Sequence, residues 1–148
     1  MQVELTRAVI DTQRITDTLK QGTDGAVTVF DGIVRNNTRG RRTLHLDYTA
    51  HESMALTEMQ KLAEEAITRF GVRDVALVHR LGKLEIGETS ILIAVASAHR
   101  GITFDACRWL IDTLKKTVPI YKREIFEDGA EWGHGEPFPP EFVASTAR

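Results

Sequence analysis

The sequence predicts a single α+β domain with a mainly antiparallel or mixed sheet. Three observations predict it. Short apolar runs of period two are interleaved with longer runs of period three to four. The segments follow in the order strand, helix, strand, strand, helix, strand, strand, helix, strand, which implies an α+β arrangement. The chain has 148 residues, 42% of them hydrophobic and 27% charged, enough for one compact domain with its own core.

Residues 2–7 (QVELTR) alternate and form the first strand. Asp11 caps a short helix that runs to about Lys20 with Ile15 and Leu19 on one face. Gly22 and Gly25 punctuate a turn. GAVTVFDGIVR, residues 25–35, is a long strand, and Gly32 within it implies a bulge or the close approach of another backbone. RNNTRGRR, residues 35–42, holds four arginines and is expected to be a mobile loop. Arg39, Arg41 and Arg42 suit a solvated basic tip. Arg35 sits at the strand end, where its fork can be held for bidentate recognition of phosphate or carboxylate.

Residues 43–50 alternate as another strand. Residues 52–70 form the clearest helix, with Met54, Leu62 and Ala66 supplying its core face and Gly71 ending it. Residues 73–80 are a strand, and its His79 is a core-edge histidine with no assigned role. LGKLEIGE is turn-rich. Residues 89–99 are the most apolar run and are expected to form the central strand.

The stretch from Ser97 to Glu124 is where chemistry is expected. Its helix places Phe104, Cys107, Ile111, Leu114 and Val118 on one apolar face. Lys115 projects at the edge of that face and Lys116 nearly opposite it. Val118 precedes Pro119, so the helix ends there. Beyond it, Ile120, Lys122 and Glu124 share one side of a strand, with Tyr121, Arg123 and Ile125 on the other. His99, Arg100, Lys115 and Lys122 stand at the junctions of this stretch and are expected to share one pocket. Spacing alone favours Lys115 as a snorkelling boundary lysine, and Lys122 and Arg123 as guards of an edge strand.

After Glu124 the composition shifts to three of the four prolines and three glycines, which reads as an irregular tail with Trp132 as an anchor. The division expected is a domain over residues 1–132 and a tail over residues 133–148.

Composition excludes several classes. A net charge of -2 gives no general nucleic-acid footprint, and no aromatic residues interleave the arginine loop as RNA binding would need. Cys107 is the only cysteine, so there is neither an internal disulfide nor a CxxC motif; a buried thiol is expected. The five histidines lack ligand spacing, so no metal or other cofactor is expected. No run suits a membrane span or a signal peptide, which fits a soluble cytoplasmic protein.

GAVTVFDGIVRN (25–36), the ESMALTEM region, VALVHRLGKLEIGE (75–88), VASAHRGITFDACRWLIDTLKKTVPIYKRE (95–124) and Trp132 together resemble the large, catalytic subunit of molybdopterin synthase. The SAHR and LKKxxPIYKRE segments at this separation are specific as a pair. The resemblance implies an α/β hammerhead fold with an additional antiparallel β-sheet. It implies a sulfurtransferase of molybdenum cofactor biosynthesis that acts on cyclic pyranopterin monophosphate (precursor Z). It further implies a homodimer at the centre of a heterotetramer. Each copy would bind a small ubiquitin-like sulfur carrier through a C-terminal Gly-Gly thiocarboxylate. By position, Lys115 matches the principal catalytic lysine and Lys122 the second pocket lysine. Arg35, His99 and Arg100 match substrate-binding positions, with Ile33 and Val34 on the approaching strand and Arg123 and Glu124 completing the segment. The arginine-rich loop and the GHGEPFPPEF tail depart from the family pattern, and Glu136 falls near the place of a tail arginine. The competing reading is a non-catalytic module that binds a phosphorylated metabolite or a partner's C-terminal carboxylate.

Overall fold

Two sheets meet across a shared core in the computed structural model, which describes residues 1–132. The first sheet has the order β1-β5-β7-β2, from β1 (Gln2–Thr6), β5 (Asp74–Arg80), β7 (Thr89–Ser97) and β2 (Ala26–Ile33). Only β1 and β5 run parallel, so the sheet is mixed. The second is built on β4 (Arg41–Ala50) and β8 (Ile120–Phe126), flanked by β3 (Asn37–Thr38), β6 (Gly82–Glu85) and β9 (Gly129–Trp132). Three helices, α1 (Thr12–Leu19), α2 (Glu52–Phe70) and α3 (Arg100–Thr117), complete the chain.

Period-two alternation divides the first sheet between two cores. Val75 and Leu77 of β5, with Ile91, Ile93 and Val95 of β7, face the main core shared with α2 and α3. Ala76 and Val78, with Leu92, Ala94 and Ala96, face the smaller core under α1. β7 is buried on both faces between β5 and β2, as its apolar composition predicts.

Local signals hold at most helix ends. The Asp11 side chain accepts from the Arg14 backbone N–H, and Gly71 takes the left-handed conformation that closes α2. α3 stops at Thr117 with Val118 extended before Pro119. The register of β2 against β7 shifts between Gly32 and Ile33, the bulge that Gly32 announced. A Cβ on Gly32 would lie 2.7 Å from the Ile91 side chain, so what crowds this glycine is a side chain and not another backbone.

Several expectations are corrected. Residues 37–42 are not a mobile loop but the tight β3–β4 hairpin, with Arg39 and Gly40 at φ of 54° and 81° as its two turn residues. Its arginines are held from below: Arg41 pairs with Asp128 and Glu131 and lies 3.8 Å over the Phe126 ring, and Arg42 pairs with Glu127. The turn-rich LGKLEIGE contains β6, paired with β4. Residues 125–132 are not irregular: they finish β8 and form β9 against it. From Arg123 to Phe126 β8 therefore has a neighbour on each side, and Arg123 does not guard an open edge. Met54 is exposed, and Ala55, Met59, Leu62, Ala63 and Ala66 bury instead. The buried face of α3 is Thr103, Ala106, Cys107, Leu110 and Leu114, leaving Phe104 57% exposed. Counting from the later apolar residues alone rotated that face by about one position. The proline-rich tail over residues 133–148 lies outside the described residues.

Candidate active site

The two sheets and the end of α3 enclose a cavity of about 400 Å³, a usual size for a small-molecule site. One wall is the face of β4 and β8. Leu46 pairs with Glu124 and Tyr48 with Lys122 across these strands, so all four side chains align on the cavity. The opposite wall is Phe30, Gly32 and Ile33 of β2 with Ser90 and Ile91 of β7. Ile111, Leu114 and Lys115 come from the last turns of α3, and Arg35 leans in from beyond β2.

Three predicted cations thus converge: Arg35, Lys115 and Lys122. Lys115 and Lys116 are both exposed, but only Lys115 lines the cavity. Both lysines lie in the last turn of α3, where the carbonyl end of the helix favours positive charge. Glu124 is 92% buried because its Oε2 accepts from the hydroxyls of Thr38 at 2.6 Å and Thr43 at 2.5 Å. That carboxylate fastens the β3–β4 hairpin onto β8 and so fixes the approach of Arg35 to Lys122. Arg123 points away, as alternation requires, and Val34 is a core residue rather than a cavity residue.

His99 and Arg100 do not join this pocket. They line a separate concavity with Gly25, Ala98, Gly101 and Phe104 at the opposite end of α3. Arg100 opens the helix and Lys115 lies in its last turn. At 1.5 Å per residue their positions are roughly 22 Å apart along the axis. The expectation of one shared pocket is therefore corrected within a single copy of the chain. A second cationic groove, lined by Arg39, Arg41, Phe126, Glu131 and Trp132, adjoins the cavity and shares Arg35 and Lys122 with it.

A family profile described as "MoaE protein" matches residues 5–117. The chain is 41% identical over 112 residues to the "Molybdopterin synthase catalytic subunit" of Pyrococcus abyssi, covering 76% of each chain. The chain belongs to the MoaE family. The protein of the same name from Bacillus subtilis is 39% identical over 129 residues, 87% of this chain and 82% of the relative. The crystal structure of molybdopterin synthase from Staphylococcus aureus superposes with a TM-score of 0.85 at 36% identity, covering 90% of this chain and 98% of that one. The hammerhead architecture expected of the MoaE family accords with the two-sheet arrangement.

Two groups in this MoaE site escaped the sequence. Thr38 was hidden in the arginine-rich segment and Thr43 opens the strand that follows it, although Arg39-Gly40 between short polar flanks is a hairpin signal. His79 was placed at the core edge without a role. It is 95% buried and lines the cavity, and its position two and four residues beyond Leu77 and Val75 puts it on the inner face. Its ring lies edge-on to Tyr48, centroids 4.9 Å apart. Burial pushes the imidazole down to about 4, and the charge of Lys115 adds to the effect.

This shift makes stability depend on pH. The unfolded chain takes a proton on this group near 6.5 and the folded one only near 4, so stability falls as pH drops between those values. The loss is about 3 kcal/mol across the window. Asp24, whose carboxyl the Arg73 guanidinium holds below its ordinary 3.8, begins to contribute only below that pH. Urea denaturation at pH 7 and pH 4.5 is expected to show most of this loss in the wild type and little of it in His79→Phe.

Proposed function

We propose that this chain is the catalytic subunit of a molybdopterin synthase, transferring sulfur from a thiocarboxylated small carrier to cyclic pyranopterin monophosphate to form the molybdopterin dithiolene. The observation that carries this reading is the convergence of Arg35, Lys115 and Lys122 on one cavity in a chain without a usable sulfur of its own. Cys107 is buried on the core side of α3, and burial pushes its thiol up to about 11. A thiolate there is strongly disfavoured, so the sulfur must arrive on a partner.

Substrate phosphate and carrier thiocarboxylate are both anions and repel each other in solution. The three cations offset that repulsion where they converge on the cavity. Arg35, at the junction of the cavity and the adjoining groove, suits the phosphate with its planar fork. Lys115 faces the transfer centre and stabilises negative charge as sulfur adds, or exchanges the proton. Lys122 holds the thiocarboxylate. Ile33 shapes the cavity mouth, and Glu124 acts through the hairpin it fastens.

A homodimer accounts for the His99–Arg100 pair. Roughly 22 Å along α3 separates that pair from Lys115, so a second copy is what can bring it to the same substrate. The assembly is then a heterotetramer of two catalytic chains and two carriers, working in the cytoplasm where the cofactor is built. Among the described residues no helix is long and apolar enough to cross a membrane.

The test is reconstitution. Purified chain, thiocarboxylated carrier and precursor are expected to yield molybdopterin, and carrier with an ordinary C-terminal carboxylate to yield none. Tight carrier binding without product would favour a binding module instead.

A further inference from the structure

The mechanism leaves one chemically capable group at the cavity unused. His79 sits at the end of β5, paired in register with Ile91 of β7, and both side chains line the cavity with Lys115. Its Nδ1 lies 2.8 Å from the Arg80 carbonyl oxygen. A carbonyl only accepts, so Nδ1 carries the proton. Tyr48 packs edge-on against the ring and limits its rotation. The ring is neutral at pH 7 because it is buried. With Nδ1 protonated, Nε2 is left as a lone-pair acceptor. Lys115 lines the same cavity, and its charge further disfavours a second proton on the ring.

Resting on the sulfur-transfer reading, we propose that His79 is a positioning residue for Lys115: Nδ1–H is anchored on the Arg80 carbonyl, and Nε2 accepts from the Lys115 ammonium once that exposed side chain, which makes no hydrogen bond to the ring in this structure, swings into the cavity. A flexible lysine at the end of a helix needs such an acceptor, because four rotatable bonds otherwise spread its nitrogen over several ångströms. An aliphatic residue at position 79 would fill the same core volume and offer no acceptor. The arrangement repeats a general device in which one ring nitrogen is fixed by a backbone carbonyl so that the other is aimed.

Two substitutions separate the ring's atoms. His79→Asn keeps an amide N–H for the Arg80 carbonyl and places nothing at Nε2. His79→Gln reaches the Nε2 position with a carbonyl oxygen. Each is reconstituted with carrier and precursor, and its Tm is measured. Each is also treated with formaldehyde and a borane reductant, and methylation of Lys115 relative to Lys116 is read by mass spectrometry. Only the free amine reacts, so loss of an acceptor for the ammonium raises the Lys115 to Lys116 ratio.

The Asn variant is expected to lose about tenfold in kcat, the size set by one hydrogen bond to a charged group, with KM for the precursor changed much less. Its methylation ratio rises. The Gln variant recovers most of the kcat and the wild-type ratio. Wild-type kcat and ratio in the Asn variant would overturn the proposal. So would equal losses in both variants that track Tm, because that outcome is a packing role alone. If the wild-type chain makes no molybdopterin, the sulfur-transfer reading fails, and the methylation ratio still decides whether His79 holds Lys115.

Discussion

Lys115→Ala is expected to lower molybdopterin formation by roughly 100- to 1000-fold, while Lys116→Ala stays at the wild-type rate. The contrast follows from geometry. The residues are adjacent and identical in type, but only Lys115 lines the cavity. Removing it deletes a charge that lines the cavity beside Lys122 and Arg35. Carrier binding is expected to survive, because Arg35 and Lys122 remain. A reconstituted assay with carrier binding followed in the same samples makes the comparison. Equal activity in the wild type and both variants would remove Lys115 from the chemistry. Loss of binding together with activity would make it an anchor for the carrier tail.

Gly25→Ala should be the most damaging single-methyl change in the first sheet, at about 3 kcal/mol. Gly25 sits just before β2, and its N–H donates to the Ser97 carbonyl at 3.0 Å. A Cβ there would lie 2.2 Å from the Ala98 carbonyl oxygen, closer than any real contact. The obstacle is backbone, so no rotamer change relieves it. Either β2 or the Ser97–Arg100 turn must move, and that turn carries His99 and Arg100. Urea denaturation is expected to show the lower midpoint with an unchanged slope. Gly22→Ala, with nothing within 4 Å of its added Cβ, is the control. Equal stability of the two variants would mean that the chain relaxes at Gly25 without cost.

Legibility in the sequence followed the range of the interactions. The bounds of α2 were read to the residue because apolar period and a glycine stop are local signals, although Met54 was assigned to the wrong face. The strand after Pro119 was read with its two faces, so Lys122 and Glu124 were placed together and Arg123 apart. The short strands β3, β6 and β9 were missed because each is two to four residues long and exists only by pairing with β4 or β8. No local period identifies a strand of that length. The shared pocket for His99, Arg100 and Lys115 failed on a simple length: a helix of 18 residues stands between the two ends.

The sequence by itself determined the fold class, the family and that Lys115, not Lys116, stands at the edge of the apolar face of α3. These rest on periodicity, on a proline stop and on long motifs in a fixed order, all properties of the chain read end to end. Only the tertiary structure decided that Arg35 meets Lys115 and Lys122, that Glu124 binds a hairpin through Thr38 and Thr43, and that His79 lines the cavity. Those groups stand 36 to 87 positions apart in the chain, and nothing in the local pattern encodes which distant strand will lie beside another.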